Sequence, residues 1–267
     1  MTPIPFTGDA RLRTAACTGT HWLAHCQLWR PTDPDQLTTG DHETAVILLG
    51  GTFDLIGGAT AWPARGARKD EFTGRPMAVF LPKQTSFRTQ NGAGELLLIA
   101  ARQPEVSVQP SGRDAFARMP LLPLAGSGKS FDPNSGEWKP AETFPTAPES
   151  LPPRRFERLV VGACTIERIF AEQYKAATLC VDEVVLAAGQ SLRLADVPGR
   201  PRCQEVCLVV RSKVTTRVTT ARGVHDVRGD SVLVVPGHGD DVLVAAAADG
   251  PAYVVIAYAG KPAGSAS

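Results

Sequence analysis

The chain has 267 residues and a formal net charge of +1, so nothing in its charge favours nucleic acid or an anionic membrane as a partner. Apolar residues make up 43% of the sequence and charged residues 21%, which suits one large globular domain or two of ordinary size. No apolar run reaches the roughly 18 residues that a membrane-spanning helix requires.

The cysteine pattern and the N-terminus indicate the compartment. Six cysteines occur at positions 17, 26, 164, 180, 203 and 207, and none forms a C-x-x-C pair. The opening segment MTPIPFTGDARLR is polar and broken by proline, unlike a signal peptide. We therefore expect a reduced, cytoplasmic protein with no membrane or nucleic-acid partner.

Short apolar segments separated by turn residues predict antiparallel strands through the first hundred residues. After an irregular start over 1–20, we expect strands over 21–29, 45–49, 52–56, 76–82, 85–89 and 95–102. Glycine pairs at 50–51 and 57–58 predict tight hairpin turns between them. Strands that recur about every 8–12 residues are typical of an all-β sandwich or barrel.

The composition changes over 106–153, where proline, glycine and serine predict a linker arm whose apolar residues pack on a barrel. The strand pattern then restarts. Strands are expected over 158–161, 164–170, 177–187, 204–210, 213–219, 231–235, 242–246 and 252–258. Residues 163–175 also suit a helix, and this alternative stays open.

The two halves look alike, which indicates a duplicated domain. Phe80-Leu81-Pro82 in the first half and Val234-Val235-Pro236 in the second each end a strand before a short loop. Each half then closes with an apolar strand, ELLLIAAR or AYVVIAYA. We predict an all-β chain with two β-barrels in tandem: an N-terminal domain over 1–105, the arm over 106–153 and a C-terminal domain over 154–267.

The first half also resembles a known family. From ETAVILLGG to ELLLIAA, the order and spacing of a hairpin, a G-x-R, an E-F-x-G-x-P segment, a strand ending in proline and an E-L-x-L strand are similar to those of 5-deoxy-glucuronate isomerases. This family is related to the 5-keto-4-deoxyuronate isomerases. The matching residues are Gly66, Arg68, Phe72, Pro76, Pro82 and Glu95.

This resemblance implies a bicupin, that is, two barrels of the double-stranded β-helix or RmlC-like jelly-roll type. It also implies a metal-assisted aldose–ketose isomerisation of a sugar acid in inositol catabolism. In the family a zinc-type divalent metal lies in the C-terminal cupin. Its ligands are a His-x-His pair, a glutamate on the next strand and a last histidine.

The sequence departs from this pattern in the C-terminal half. The loop after Gly189, QSLRLADVPGRPRCQ, contains no histidine, so the paired ligands are missing. Glu205 matches the family glutamate and His238 lies within one position of the last histidine. Two ligands of four are too few for a divalent metal, so the resemblance implies either a degenerate site or none.

Cys203 and Cys207 offer replacement ligands. Strand alternation places them on the same face as Glu205, so these three residues and His238 are a candidate metal site with soft ligands. Alternatively, both cysteines are small buried hydrophobes. Glu205 itself is a candidate proton carrier if its carboxylate lies in an apolar barrel, or else it pairs with a nearby arginine.

Arginines in the same loop suit a sugar-acid carboxylate. Arg193 and Arg202 are the candidate substrate-binding residues, with a solvated loop as the alternative. A two-histidine site from His21 and His25 in the first domain is a weaker hypothesis, because it has too few ligands. A homo-oligomer is expected.

Three functions therefore remain open. The leading one is a 5-deoxy-glucuronate isomerase-like bicupin, an intramolecular aldose–ketose isomerase if it is active. The second is a non-catalytic bicupin that binds a sugar acid or serves regulation. The third is an enzyme with a rebuilt Cys/Glu/His site.

Overall fold

The computed structural model describes residues 2–32, 35–57, 60–62, 68–73, 76–102, 129–132, 137–140, 149–150, 157–170, 178–201, 203–239 and 241–260. Within these ranges the chain is all β apart from a 3₁₀ turn at Leu194–Asp196, which confirms the predicted fold class. No helix in the described ranges is long and apolar enough to cross a membrane.

In the described part of residues 2–102 the chain forms nine strands. They are β1 (Ile4–Pro5), β2 (Thr7–Gly8), β3 (Leu12–Ala16), β4 (Leu23–Trp29), β5 (Asp35–Thr38), β6 (His42–Gly57), β7 (Thr60–Trp62), β8 (Met77–Leu81) and β9 (Ser86–Arg102). Three short strands follow: β10 (Lys129–Asp132), β11 (Glu137–Pro140) and β12 (Glu149–Ser150). The C-terminal half contributes β13 (Glu157–Val161), β14 (Cys164–Phe170), β15 (Leu179–Leu186), β16 (Ser191–Arg193), β17 (Glu205–Arg211), β18 (Thr216–Thr220), β19 (Gly223–Val227), β20 (Ser231–Pro236), β21 (Leu243–Ala246) and β22 (Ala252–Ala259).

The two cupins have matching central sheets. The N-terminal sheet has the order β12-β8-β6-β9-β4-β3-β2, and the C-terminal sheet has the order β1-β20-β17-β22-β15-β14-β13. A second C-terminal sheet, β16-β21-β18-β19, closes that barrel. Each cupin therefore receives an edge strand from outside its own half: β1 pairs with β20, and β12 pairs with β8.

The sheet registers agree with the predicted duplication. Thr44 of β6 faces both Leu81 of β8 and Ala100 of β9. In the second cupin, Val206 faces Val235 and Tyr258 in the same way. The segments ending in Pro82 and Pro236 are thus equivalent positions in two copies of one barrel.

Met1–Gln103 and Pro148–Ser267 form one compact unit that contains both cupins, and Pro104–Ala147 form a second. In the second unit the structure describes only the hairpin of β10 and β11, which pair antiparallel. The rest of the predicted arm, apart from β12, lies outside the described residues.

Several predicted boundaries are wrong for physical reasons. Residues 45–49 and 52–56 belong to one strand, β6, because Gly50 and Gly51 stay paired with Glu95 and Gly94 of β9 instead of forming a turn. Register irregularities flank the two glycines, between Leu48 and Gly50 and between Thr52 and Asp54. Gly51 has φ +96°, and a Cβ there would lie 2.1 Å from the carbonyl oxygen of Ala93, so only glycine fits. Predicted strands 85–89 and 95–102 likewise merge into β9.

Other boundaries also differ. Residues 1–20 contain β1 to β3 rather than irregular chain, and β19 was not predicted. Cys164–Phe170 is a strand, so the helical alternative is wrong there, and residues 171–175 lie outside the described residues.

Apolar side chains form three cores, and strand alternation decides which core each residue joins. The N-terminal barrel core contains Trp29 and Phe87, and the C-terminal barrel core contains Leu208 and Ile256. A third core takes residues from both cupins, including Ile47 and Val209, and we call it the shared core. Each central strand therefore has one face toward its own barrel and the other toward the shared core.

Candidate functional site

Glu205 lies on the face of β17 that points toward the shared core. Its neighbours on this face, Cys207 and Val209, belong to the shared core, whereas Val206 and Leu208 fill the C-terminal barrel. The Glu205 carboxylate, 6% exposed, accepts three backbone N–H bonds from the other cupin. They come from His21 at 2.5 Å, Trp22 at 3.0 Å and Leu23 at 3.1 Å. Both carboxylate oxygens therefore hold the β3–β4 hairpin.

Glu43 occupies the equivalent position in the N-terminal cupin. It faces Ala101 across β6 and β9, as Glu205 faces Ala259 across β17 and β22. Its buried carboxylate accepts the backbone N–H of Thr178 at 2.8 Å and also the Thr178 hydroxyl. The two glutamates thus make reciprocal bonds from each cupin to the chain just before a strand of the other. We call these contacts the carboxylate latches.

The other predicted metal ligands do not join Glu205. Cys203 precedes β17 and packs in the C-terminal barrel core, so alternation from Glu205 does not extend to it. Cys207 lies in the shared core with its sulfur 3.7 Å from that of Cys26. His238 uses Nδ1 to hydrogen-bond the carbonyl oxygen of Cys203. The predicted site of Cys203, Glu205, Cys207 and His238 is therefore not formed.

This donor set does not fit a zinc-type ion, which needs three or more converging Cys, His or carboxylate ligands. In the described part of the chain, no group of three or more such residues is arranged to hold a metal. All five histidines of the sequence lie in that part. His25 and His42 do approach each other, with ring centroids 5.6 Å apart, but His21 instead contributes its backbone N–H to Glu205.

Of the two predicted carboxylate-binding arginines, the structure describes Arg193. Arg193 is exposed at the end of β16. Arg200 is half-buried, and its guanidinium donates to the backbone carbonyl of His238. Arg202 lies outside the described residues. Binding of a sugar acid by Arg193 and Arg202 stays a prediction.

A buried polar group that the sequence reasoning missed lies inside the C-terminal barrel. Asp182 of β15 is 1% exposed and pairs with Arg168, whose Nε lies 3.0 Å from Oδ1. Burial raises the pKa of Asp182. The buried Tyr258 hydroxyl has no partner within normal hydrogen-bond geometry among the described residues, and burial and the Asp182 charge raise its pKa. A carboxyl and a phenol with raised pKa values are groups that can transfer protons.

The signal for Asp182 was present in the sequence. The strand LCVDEVVL carries two adjacent carboxylates within an apolar run, and alternation sends them to opposite faces. Asp182 points into the barrel, and Glu183 points toward the shared core. Loop residue Pro198 accepts a hydrogen bond from Arg168 at 3.0 Å, which fixes the loop over this pair.

Glu183 forms a second polar contact between the cupins with Arg68. The Arg68 guanidinium uses all five N–H groups: two bonds to the Glu183 carboxylate at 2.6 and 3.0 Å and three to backbone carbonyls of its own cupin. Tyr253 donates its hydroxyl to Glu183 at 2.8 Å, and the Phe72 ring packs edge-on against Tyr253. We call this contact the Arg68 joint. Arg68 and Phe72, on which the family resemblance rests, are thus residues of the inter-cupin contact.

Part of the N-terminal half is similar to a known protein family. Residues 25–114 match the model of the KduI/IolB family. This confirms the predicted resemblance to the 5-keto-4-deoxyuronate and 5-deoxy-glucuronate isomerases. The match covers about a third of the chain and includes Glu43 and Arg68, but neither Asp182 nor Glu205. No curated protein sequence matches the chain.

Solved structures support the bicupin fold. An IolB-like protein from Salmonella typhimurium LT2 has a TM-score of 0.68 at 16% identity, over 97% of this chain and 93% of that one. Oxalate decarboxylase from Lactobacillus farciminis has a TM-score of 0.58 at 12% identity, over 96% and 84% of the two chains. HEPD from Streptomyces albus, solved with Fe(II) bound, has a TM-score of 0.53 at 12% identity, over 97% of this chain and 73% of that one. At such low sequence identities, the similarity shows that the fold is shared and nothing more.

The KduI/IolB match covers strands of the N-terminal cupin and does not reach the C-terminal barrel. The matched segment supplies most of β4, β5 to β9, and the inter-cupin residues Glu43 and Arg68, but not the residues 21–23 that bind Glu205. The interior of the C-terminal barrel, outside the matched segment, contains the buried Asp182–Arg168 pair and Tyr258.

Proposed function

We propose that this chain is a KduI/IolB-type, isomerase-like bicupin that binds a sugar acid and does not carry out the family's metal-assisted isomerisation. One observation carries the proposal. The carboxylate that should complete a metal site, Glu205, lies on the shared-core face of its strand and accepts three backbone N–H bonds. To act as a metal ligand, Glu205 would have to break these charge-assisted hydrogen bonds, which its buried carboxylate accepts.

The reciprocal latches provide a matched test, Glu205→Gln against Glu43→Gln. An amide keeps one acceptor oxygen but loses the charge, so each substitution should cost about 2 kcal/mol of unfolding free energy. Each variant is incubated with 5-deoxy-glucuronate and Zn²⁺ or Mn²⁺, and product is followed by NMR. We expect no turnover in the wild type and similar stability losses in the two variants. Turnover or bound metal that Glu205→Gln removes and Glu43→Gln keeps would overturn the proposal.

Binding needs its own measurement, since the absence of turnover alone does not establish a ligand. We expect 5-deoxy-glucuronate to bind in isothermal titration calorimetry and the uncharged sugar glucose not to bind. Arg193→Ala and Arg202→Ala should each weaken the sugar acid by about tenfold, the loss expected for one guanidinium–carboxylate contact. Arg217→Ala, an exposed arginine paired with Asp226, is the control. Equal affinity for the acid and for glucose would contradict the proposal.

Asp182 favours a second candidate, a metal-free isomerisation. The ionised Asp182 carboxylate, made more basic by its raised pKa, can take a proton from the carbon beside a carbonyl and return it to the former carbonyl carbon. The substrate hydroxyl proton passes to the carbonyl oxygen as the enediol forms, with the Tyr258 hydroxyl beside it. This candidate predicts turnover in the presence of a chelator. It also predicts that Asp182→Asn abolishes turnover while circular dichroism and sugar-acid affinity are unchanged. Without chelator-resistant turnover the binding function stands.

We also propose that the protein is cytoplasmic and that it self-associates. Its six free cysteines support the first proposal. For the second, we expect light scattering to give a molar mass above that of one chain.

A further inference from the structure

One end of the N-terminal barrel carries three basic side chains that the proposed function does not use. In the central sheet, His25 of β4 faces Ala100 of β9, and His42 of β6 faces Arg102 of β9. Leu98, two residues before Ala100, belongs to the N-terminal barrel core. Strand alternation therefore turns these side chains toward the barrel and away from the shared core. We call His25, His42 and Arg102 the basic end.

A small residue gives the two imidazoles room to meet. Ala100 occupies the position that Tyr258 has in the other cupin, since each faces the residue that follows the latch glutamate of its own cupin. With a methyl group in place of a phenol, the His25 and His42 rings approach each other across β9. Their centroids are 5.6 Å apart, and the ring planes are 78° apart.

The ring nitrogens of both histidines are available to a ligand. Both residues are half-buried. Their ring nitrogens form no hydrogen bond within the described residues, and none of them is among the buried unpartnered side-chain atoms of that part of the chain. Solvent therefore reaches these nitrogens at the end of the barrel.

Arg102 is held in place by one nitrogen and has two others to offer. Its Nη1 donates to the carbonyl oxygen of Thr20 at 3.0 Å and to the Thr20 hydroxyl at 3.2 Å, and it also contacts the carbonyl of Leu23. Within the described residues, Nε and Nη2 have no such bond. The β3–β4 hairpin thus orients the guanidinium and leaves donors for a ligand.

No carboxylate in the described part of the chain neutralises the basic end. Glu43, next to His42, turns to the shared-core side and accepts bonds from Thr178. The titratable groups that act on His25 are His42, Arg102 and the Cys17 thiol. Burial, followed by the His42 charge, lowers the pKa of His25. A bound anion would offset the cost of protonating both imidazoles.

We propose that the basic end binds a tetrahedral oxyanion, that is, a sulfate or phosphate group. His25, His42 and Arg102 would each donate a charge-assisted hydrogen bond from a different strand. Three donors from three directions suit a tetrahedral anion better than a flat carboxylate. The site lies in the N-terminal barrel, apart from the C-terminal arginine of the proposed function, so either proposal can fail without the other.

Sulfate is the probe, because it stays a dianion over the range in which histidine titrates. A bound anion favours the protonated imidazoles and so raises their pKa values in the complex. Sulfate affinity should be complete below the pKa values of the free protein and lost as the pH rises through those of the complex. Calorimetry should show affinity about tenfold or more tighter at about pH 6 than at about pH 8.

NMR of the histidine Cε1–H protons locates the bound sulfate. In the wild-type protein, sulfate should shift the signals of His25 and His42 and leave that of His225 unchanged, and Arg193→Ala should keep these shifts. The proposal is overturned if neither His25 nor His42 responds, or if affinity is equal at the two pH values. The wild-type spectra decide these points even if a variant fails to fold.

Variants test the two imidazoles directly. His25→Gln and His42→Gln each keep a donor but lose the charge, and each should weaken sulfate about tenfold. His21→Gln is the matched control, because His21 is exposed on the neighbouring hairpin and only its backbone N–H contacts Glu205. Equal losses in all three variants, with unchanged circular dichroism, would contradict the assignment.

Two further probes distinguish a free ion from an ester. Inorganic phosphate and glucose 6-phosphate are each titrated at about pH 6 while the same two histidine signals are followed. Equal affinity identifies a free oxyanion as the ligand, and tighter binding of the ester identifies a phosphorylated sugar. Failure of both to displace sulfate from these signals would contradict a site for phosphate groups.

Discussion

Replacing Arg68 with methionine tests the contact that the family motif builds. The Arg68 and Glu183 side chains are 2% and 4% exposed, and their carboxylate–guanidinium bond joins the two cupins. Methionine fills much of the volume but leaves the buried carboxylate with the Tyr253 hydroxyl as its described donor. Removing one partner of a buried ion pair costs about 3–5 kcal/mol. This is a large part of the roughly 5–15 kcal/mol that stabilises an ordinary domain.

The deficit of Arg68→Met should depend on pH. Burial raises the pKa of Glu183 above its ordinary 4.5 even though Arg68 lowers it, so removing Arg68 raises it further. A raised carboxyl pKa means that the folded state binds the proton more tightly than the unfolded state. The unfavourable contribution is then fully present above the folded pKa and disappears as the pH falls towards the unfolded value. The deficit of the variant should therefore shrink on acidification.

The assay is urea unfolding followed by circular dichroism, with the slope against denaturant compared between variants. Arg217→Met is the control, because the Arg217–Asp226 pair is 62% and 53% exposed, and solvent screening makes its loss far less costly than that of the buried pair. Arg68→Met/Glu183→Gln should regain part of the loss, since no buried charge remains unpaired. Equal deficits for Arg68→Met and Arg217→Met, or no recovery in the double variant, would refute this account of the joint.

Further outcomes follow from the same geometry. Tyr253→Phe removes one hydrogen bond to a buried carboxylate. The free energy of unfolding, measured with urea, should fall by about 1.5–3 kcal/mol. Gly51→Ala should cost about 3 kcal/mol or more, because its Cβ would overlap the Ala93 carbonyl. Gly19→Ala has a similarly positive φ but open space and should cost only about 1 kcal/mol; equal costs would show that φ alone decides.

Much of the fold could be predicted because turn residues and apolar segments alternate along the chain. The duplication was visible in Pro82 and Pro236, and the registers of β8 and β20 place both prolines at equivalent strand ends. The glycine pair at 50–51 misled the prediction. A positive φ and a close backbone approach suit a bulge as well as a turn, and sequence alone does not separate them.

The site was harder to predict because the central strands are buried on both faces. All seven residues of β17 are buried, so the apolar pattern carries no signal for which face lines the barrel. Alternation correctly placed Glu205 and Cys207 on one face but could not show that this face meets the other cupin. The same ambiguity concealed Asp182, whose neighbour Glu183 faces the opposite way.

The positions of the carboxylate latches and the Arg68 joint explain why the family match indicates how the two cupins are joined and not what lies inside each barrel. Residues 25–114 include Glu43 and Arg68, whose side chains bind the other cupin. A sequence that preserves these contacts preserves the way two barrels are joined, whatever lies inside either barrel. The opposite strand faces line the barrel interiors, where Asp182 is 1% exposed and Arg168 6%. Substitutions at the Arg68 joint should therefore lower the free energy of unfolding with little effect on sugar-acid affinity.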